Sequence, residues 1–540
     1  MTPAHPPSPL ARLSPTSPVT TLASTILTLT LTITVILTLI STPARAASPR
    51  TPPVTLPRQV LLDKIKGGWA GQMIGVAYGA PTEFTSNGRI GEWPLSWKPG
   101  MIDNTLQQDD LYVEMTFAKV MDDLGIDAPM AAYGEAFRTS SYPLWHANAA
   151  ARRLLNLGIQ PPRSGHPKHN IHANDIDFQI EADFIGLMCP GLPRLSNQLC
   201  NRVGRVMNHG DGLYGGMFVC GMYTAAFLAD DPRAIVAAGL ACLPPNSGYA
   251  QIIRDVLQAQ SQHPDDWRAT WLHVQSAWDR DDPCPDGALS PFNIDARLNG
   301  AYIAIGLLHG HGDFERTLEI ATRCGQDSDC NPSNAAGILG VVLGFNRIPA
   351  RFTDEFPRLG HRKFAYTDYS FEDIVRSTEA RALDAIRRTG GSVTPSEVRI
   401  IPQKPRPPTL EQWNPGKPVA RFPASNPAWT WTGSWSANDG DQVSRTAGDV
   451  AELTFEGTGI AILGRLDQRQ GRARILLDNR PVDTADGYIV ERTHDNALWH
   501  RHGLKPGRHT LRVVTLGEKD PRSTASDVTL REAVVYTHTD

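Results

Sequence analysis

No two cysteines in this chain are spaced as C-x-x-C, and the cysteines number seven. The missing pair excludes the common zinc-ribbon and thioredoxin-like spacings, and the odd count leaves at least one thiol outside any disulfide. Cys189 and Cys200 flank a loop rich in Gly and Pro. A disulfide between them and two buried free thiols are both open at this level. Excess charge is lacking too. A formal net charge of -4 over 540 residues gives no electrostatic reason to expect nucleic acid or an anionic membrane surface as partner. No Lys/Arg-rich stretch offers a cradle for phosphate, and up to about residue 388 no alternation of apolar and polar residues reads as strand.

What is present begins with an uncharged apolar run after Arg12, "VTTLASTILTLTLTITVILTLISTPARAA". It is long enough to span a bilayer, which takes about 20 residues. It ends, however, in Ala44-Arg45-Ala46, an A-x-A-like cleavage site, and this decides for a secretory signal peptide over a membrane anchor. Residues 1–46 are therefore expected to be removed and residues 47–58 to be a linker. The working part is expected outside the cytoplasm, secreted or periplasmic, with no stable membrane partner after cleavage.

Residues 59–398 read as helical. In "GGWAGQMIGVAYGAPTEF", Gly67, Gly71, Gly75 and Gly79 recur every fourth residue, on one stripe of a helix. Each mid-helix Gly costs roughly 1 kcal/mol against Ala, so the stripe needs a reason, and close approach of another helix supplies one. Ala336, Gly340 and Gly344 repeat the spacing in "NAAGILGVVLG". The two stripes predict a tightly packed central pair in an all-α domain. Residues 399–421, rich in proline, read as a linker. From 422 to 540, short alternating segments such as "VAELTFEGTGIAILGR" and "RHTLRVVTLG" are separated by turn residues, which predicts a β-sandwich. On its first strand, Trp429, Trp431 and Trp435 share one face, for stacking on sugars or for core packing.

Chemistry gathers at two places. Asp327 and Asp329 in "CGQDSDCNPSNAAG" stand at the edge of an apolar helix that starts at an Asn331 cap with Pro332. A carboxylate there is costly unless neutralised, and no Lys or Arg is adjacent. "NTLQQDDLYVEM" holds a second pair, Asp109 and Asp110, at another helix entry, with Glu114 one turn on. Dipole stabilisation of about 0.3–1 kcal/mol explains either pair alone. If the glycine-striped helices bring the pairs together, a hard divalent cation is the better account.

These segments, with "GGWAGQMIGVAYGAPTEF", resemble in sequence and order the ADP-ribosylglycohydrolase family, over residues 61–349. The resemblance implies an all-α fold with two metal ions, Mg²⁺ or Mn²⁺, and hydrolysis at the anomeric carbon of an ADP-ribose unit. Carried over by position, Asp109, Asp110, Asp327 and Asp329 become metal ligands, and Glu83 becomes a ligand or the water-activating base. Two positions depart from the family pattern. Gln108 stands where Ser or Thr is usual, and its amide oxygen still suits a hard cation. Cys330 also replaces a hydroxyl, and a thiol is a poor ligand for Mg²⁺, which puts one metal position and the usual substrate in question.

Further residues are candidates for the same site. "NIHANDIDFQIEADFIG" carries Asp175, Asp177, Glu181 and Asp183; one of them is expected to serve as general acid or base, Asp183 being taken for it, and a solvated helix face is the alternative for each. Asp211 and Tyr214, in "NHGDGLYGG", and Asn299 and Tyr302 are candidates for substrate binding, with simple packing the alternative for Asn299 and Tyr302. His166, His169 and His172 lie among Pro, Asn and Gly and read as a loop rather than a zinc site. The expected function is an exported, metal-dependent glycoside hydrolase, acting on an N- or O-glycosidic bond of ADP-ribose or another furanoside. Its sandwich resembles galactose-binding-like carbohydrate modules, and its partner is a small-molecule or glycan substrate. A catalytically silent carbohydrate-binding protein is the alternative, and a two-metal hydrolase of phosphate esters a weaker third.

Overall fold

The computed structural model describes residues 52–279, 284–494 and 496–538. The expected signal peptide, 1–46, lies outside them, as do residues 47–51 of the segment 47–58. Among the described residues no helix is long and apolar enough to cross a membrane.

From Gly67 to Gly79 the first helix, Arg58–Gly79, is apolar on every side but for Gln72, and every residue of that stretch is buried. Such a helix must be surrounded. Its main neighbour is the Cys330–Leu343 helix, equally buried, and the glycine stripe faces it. A Cβ on Gly67 would fall on the Gly340 carbonyl, on Gly71 on that of Ala336, on Gly75 on that of Pro332, and on Gly79 on that of Ser328. As one number rises the other falls by the same step, so the two helices run antiparallel, backbone against backbone. The C-terminal end of the first thereby meets the N-terminal end of the second. The helices Asp211–Ala226 and Ala296–Gly310 complete the core.

A short antiparallel sheet seals the helical part, pairing Val54–Pro57 with Glu397–Ile400, which also pairs with Ser392–Val393. The proline-rich segment beyond it is no loose tether. The Gln403 amide donates to the Gly191 carbonyl at 2.9 Å, Asn197 Nδ2 to the Arg406 carbonyl at 3.3 Å, and Arg205 pairs with Glu411 at 2.6 Å.

The all-β part is a sandwich of antiparallel sheets. The larger runs, in spatial order, Arg480–Asp486, Gly471–Leu477, Ala497–Lys519, Val450–Leu463, Glu532–Thr537 and Lys417–Pro423, with Trp429–Thr432 paired to Val450–Leu463. The smaller holds Val528–Leu530, Asp441–Ser444 and Ser436–Asn438. Inward residues such as Leu453, Ile475 and Leu511 form its core. Trp429 is buried in that core and its indole donates to the Phe422 carbonyl at 3.0 Å, while Trp431 and Trp435 pack against it half-buried. Both parts belong to one unit spanning residues 51–540. Ile171 and Ala288 of the helical part meet Ala461, Val534 and Tyr536 of the sandwich, with Trp413 between them.

Candidate metal and catalytic centre

Because the helix pair is antiparallel, the turn after Gly79 and the turn before Cys330 lie side by side, and they exchange backbone hydrogen bonds. The Phe84 amide donates to the Gln326 carbonyl at 3.0 Å and the Gln326 amide to the Ser86 carbonyl at 3.2 Å. The hydroxyls of Thr82 and Ser328 join at 2.9 Å. Glu83 thus stands over Asp327 and Asp329. The second acidic pair arrives from another direction, in the first turn of the helix Asp109–Leu124. Cys330 Sγ donates to Asp110 Oδ1 at 3.1 Å, so the two motifs touch. Glu114 braces this corner, accepting from Gln72 Nε2 at 2.8 Å and from the Phe184 amide at 2.9 Å.

The helix before the core begins at Cys330 rather than after the expected Asn331 cap. The Asp327 carboxylate accepts from the Cys330 amide at 3.4 Å, and Asn331 instead turns its amide to Asn299 Oδ1 at 2.9 Å. One donor atom each of Asp327, Asp329 and Cys330 lies within 4.8 Å of the others. Gln108 precedes Asp109 in extended conformation, and its side chain makes no capping bond.

Charge is concentrated here without a counter-cation from Lys or Arg among the described residues. Burial, then Asp329, raises the Asp109 carboxyl to about 6. Burial and the neighbouring carboxylates push Asp110 and Asp327 upward as well, and burial raises Asp329 against the lowering hydrogen bonds of Asp327 and the backbone. Glu83 is the member that reaches solvent. Even so, its sheltered surroundings, with Asp329 and Asp109, push it to about 8. Asp110 Oδ2 and Asp329 Oδ1 are buried and accept no hydrogen bond. Orphaned carboxylate oxygens in an anionic pocket without Lys or Arg fit a hard divalent ion. The thiol of Cys330 is the donor that fits it poorly.

The other expected site residues divide. The four acids of the 175–183 run are buried, which rules out a solvated face. Asp183 is held by the Tyr223 hydroxyl and by Asn334 Nδ2 at 2.8 Å, and burial raises it to about 7. Asp177 caps the helix His146–Asn156 through the amides of Ala147 and Asn148. Asn299 lies next to the metal-type corner through Asn331. Tyr302 is fully buried and bonds to Gln275. Asp211 lines a cavity of about 410 Å³ with Asn174, Arg297 and Trp413, apart from the acid group. Tyr214 accepts from the Glu411 amide at 2.7 Å and donates to the Thr409 carbonyl at 3.3 Å, clasping the proline-rich segment. All seven cysteines are buried and none forms a disulfide, Cys189 and Cys200 included.

His146 was not legible beforehand. It starts a helix with φ +41° and faces both Glu83 and a second group of donors. Burial opposes its charge, yet Asp286, Asp175 and Asp177 carry it up to about 9. No spacing in the sequence links residues so far apart.

In this all-α core two acidic turns meet beside a solvent-reaching glutamate, and the class they belong to is that of the glycohydrolases. The family model for ADP-ribosylglycohydrolase matches residues 57–385, and the chain belongs to that family. Among solved structures, an ADP-ribosylglycohydrolase-related protein complex is 15% identical with a TM-score of 0.41, over 61% of this chain and 99% of that one. A family two carbohydrate esterase from Cellvibrio japonicus is similar over 22% of this chain and 32% of its own, at 15% identity and TM-score 0.18. A two-domain esterase active on acetylated mannans is similar over 31% and 46%, at 15% and 0.19. A comparison with curated proteins finds no match.

Proposed function

We propose that this chain is an exported, metal-dependent glycohydrolase that cleaves an N- or O-glycosidic bond at the anomeric carbon of ADP-ribose or another furanoside. The observation that carries the reading is the pair of buried, unpartnered oxygens on Asp110 and Asp329 in a pocket without Lys or Arg. Asp109, Asp110, Asp327 and Asp329 would hold Mg²⁺ or Mn²⁺, with Gln108 at the rim and Cys330 as the weak position. Such ions supply polarisation of a bound water and a template for the sugar's vicinal hydroxyls.

The chain's own residues do the rest. Glu83, at the open end, orients a water on the face of the sugar opposite the leaving group and takes its proton. The water oxygen bonds to the anomeric carbon as the bond to the leaving group breaks; the water's proton stays on Glu83, and the leaving group takes up a proton from solvent. Carboxylates around the ring favour the positive charge that develops on it. Asp183 and Glu114, held by hydrogen bonds, keep the floor of the site rigid. Export rests on the Ala44-Arg45-Ala46 site after the apolar run, and it favours a glycan or nucleoside furanoside over an intracellular protein conjugate.

The test is hydrolysis of ADP-ribosyl-arginine and of aryl furanosides by the chain from Ala47, with Mn²⁺ or Mg²⁺ and after chelation. Activity that needs the ion and is lost in Asp327→Asn/Asp329→Asn is expected. Hydrolysis indifferent to chelation and to this variant would refute it. Metal binding without turnover of any furanoside would favour the silent carbohydrate-binding reading, for which the bond from Cys330 to Asp110 is the motive.

A further inference from the structure

A second set of donors lies beside the acid group and takes no part in the hydrolysis. His146 Nδ1 is 3.7 Å from Asp286 Oδ2 and 3.8 Å from Asp175 Oδ2. Asp175 Oδ2 is 2.8 Å from His172 Nδ1. That nitrogen is 3.4 Å from Cys284 Sγ, which is 3.8 Å from Asp286 Oδ2. The five contacts close a ring. Donors held 2.0–2.3 Å from a common ion stand about 2.9–3.8 Å apart at bond angles of 90–120°; four sides of the ring fall in that interval, and the fifth, His172 to Asp175 at 2.8 Å, is a hydrogen bond. The donors of His146, His172, Cys284 and Asp286 all lie within 4.8 Å of one another, so contraction by about 1 Å brings the widest pair to the separation expected in a loaded zinc shell.

The donor chemistry is unlike that of the acid pocket. Two imidazoles and a thiol select a borderline ion such as Zn²⁺, whereas carboxylates and an amide select Mg²⁺ or Mn²⁺. His146 Nδ1 is buried and accepts or donates no hydrogen bond, and His172 has no exposed surface. The segments that carry the donors are held independently of any ion. Asn170 accepts from the His172 amide at 3.0 Å and donates to the Ala147 carbonyl at 3.1 Å, which locks the 170–175 turn onto the start of the His146 helix. Arg421 of the sandwich donates to the carbonyls of Ala288 at 2.7 Å and Asp286 at 3.1 Å. The donors thus come from three segments fixed in place, a preorganised arrangement.

We propose that His146, His172, Cys284 and Asp286, with Asp175 alongside, form a zinc site that staples the 284–288 segment to the wall of the catalytic cleft. Binding displaces the Cys284 proton to solvent, the thiolate being the ligand. The site is separate from the hydrolytic centre and stands or falls without it.

The experiment uses the chain from Ala47, stripped of metal and titrated with Co²⁺, whose bond to a thiolate gives a near-ultraviolet charge-transfer band. One thiolate-bound Co²⁺ per chain is expected, displaced by Zn²⁺. The band disappears in Cys284→Ser and persists in Cys330→Ser and in Asp327→Asn/Asp329→Asn. His146→Gln weakens zinc by more than about 10-fold, read by zinc content after dialysis, and serves if Cys284→Ser does not fold. No band in the parent chain overturns the proposal. So does loss of the band in Cys330→Ser with retention in Cys284→Ser, which would place the ion at the acid motif, or full zinc retention in His146→Gln.

Discussion

Replacing Gly71 by alanine tests the packing on which the catalytic corner depends. Gly71 sits mid-helix, and a methyl there would land on the Ala336 carbonyl. Intrinsic propensity favours alanine by about 1 kcal/mol. Against this, the obstacle is backbone of the partner helix, which cannot rotate away as a side chain could. The helices must part by something on the order of 1 Å, and overpacking of this kind costs about 1–3 kcal/mol, to which looser packing along the widened seam adds. The net expectation is a loss of about 1–2 kcal/mol. At about 2–4 °C per kcal/mol for a domain of this scale, the melting temperature falls by about 2–8 °C. Thermal unfolding followed by circular dichroism reads it directly. Gly79→Ala, beside Ser328 and Asp329, should in addition weaken Mn²⁺ binding, since the strain falls next to the carboxylates. If Gly71→Ala equals or exceeds the parent in stability, the close backbone approach is not what the glycines are for and the reasoning is wrong.

Acid should weaken the chain through His500 and His502 at the seam between the two parts, where they donate to the carbonyls of Pro167 and Pro415. Burial holds them down, to about 4 and about 3, so the unfolded chain takes up protons near pH 6.5 that the folded chain refuses. Stability present above pH 6.5 is lost as pH falls toward 4, at up to about 1.4 kcal/mol per pH unit per histidine; urea unfolding across that range, parent against His502→Gln, should show a shallower slope in the variant. Tyr214→Phe removes the hydroxyl that clasps Thr409 and Glu411 and should cost about 1–3 kcal/mol, with faster proteolysis within 399–416 as the readout. Cys330→Ser gives the acid pocket a hard oxygen, so calorimetry should show tighter Mg²⁺ binding; weaker binding would mean the thiol is the better donor there.

The helical part, the sandwich and the glycine pairing were legible because each rests on local periodicity, and Gly67, Gly71, Gly75 and Gly79 carry their own explanation as a stripe. The stripe also brings Glu83 to Asp327 and Asp329, whereas Asp109 and Asp110 arrive on a third helix that the stripe does not place. What stayed hidden depends on donors from distant segments. For Asp177 and Glu181 a solvated face stayed open as a reading because nothing nearby in sequence satisfies them; their partners are the amide of Asn148 and its side chain, some thirty residues earlier. Tyr214 read as a pocket residue since aromatic and Gly-rich loops often line pockets, and only the folded path of residues 409–411 gives its hydroxyl another task. His146 had no pattern at all, because its neighbours come from residues 83, 172–175 and 284–286.

The seam between the two parts has a consequence for how such a chain can vary. Ile171, Ala288, Val534, Tyr536 and Trp413 would form an exposed apolar patch on each half if the halves were separated. Arg153 donates from its helix to the Ala497 carbonyl at 2.9 Å, and Arg421 reaches the other way. The sandwich is therefore not a passenger module that could be traded for another on a flexible leash. Any replacement would have to be recut to this surface, and a change on one side calls for an answering change on the other.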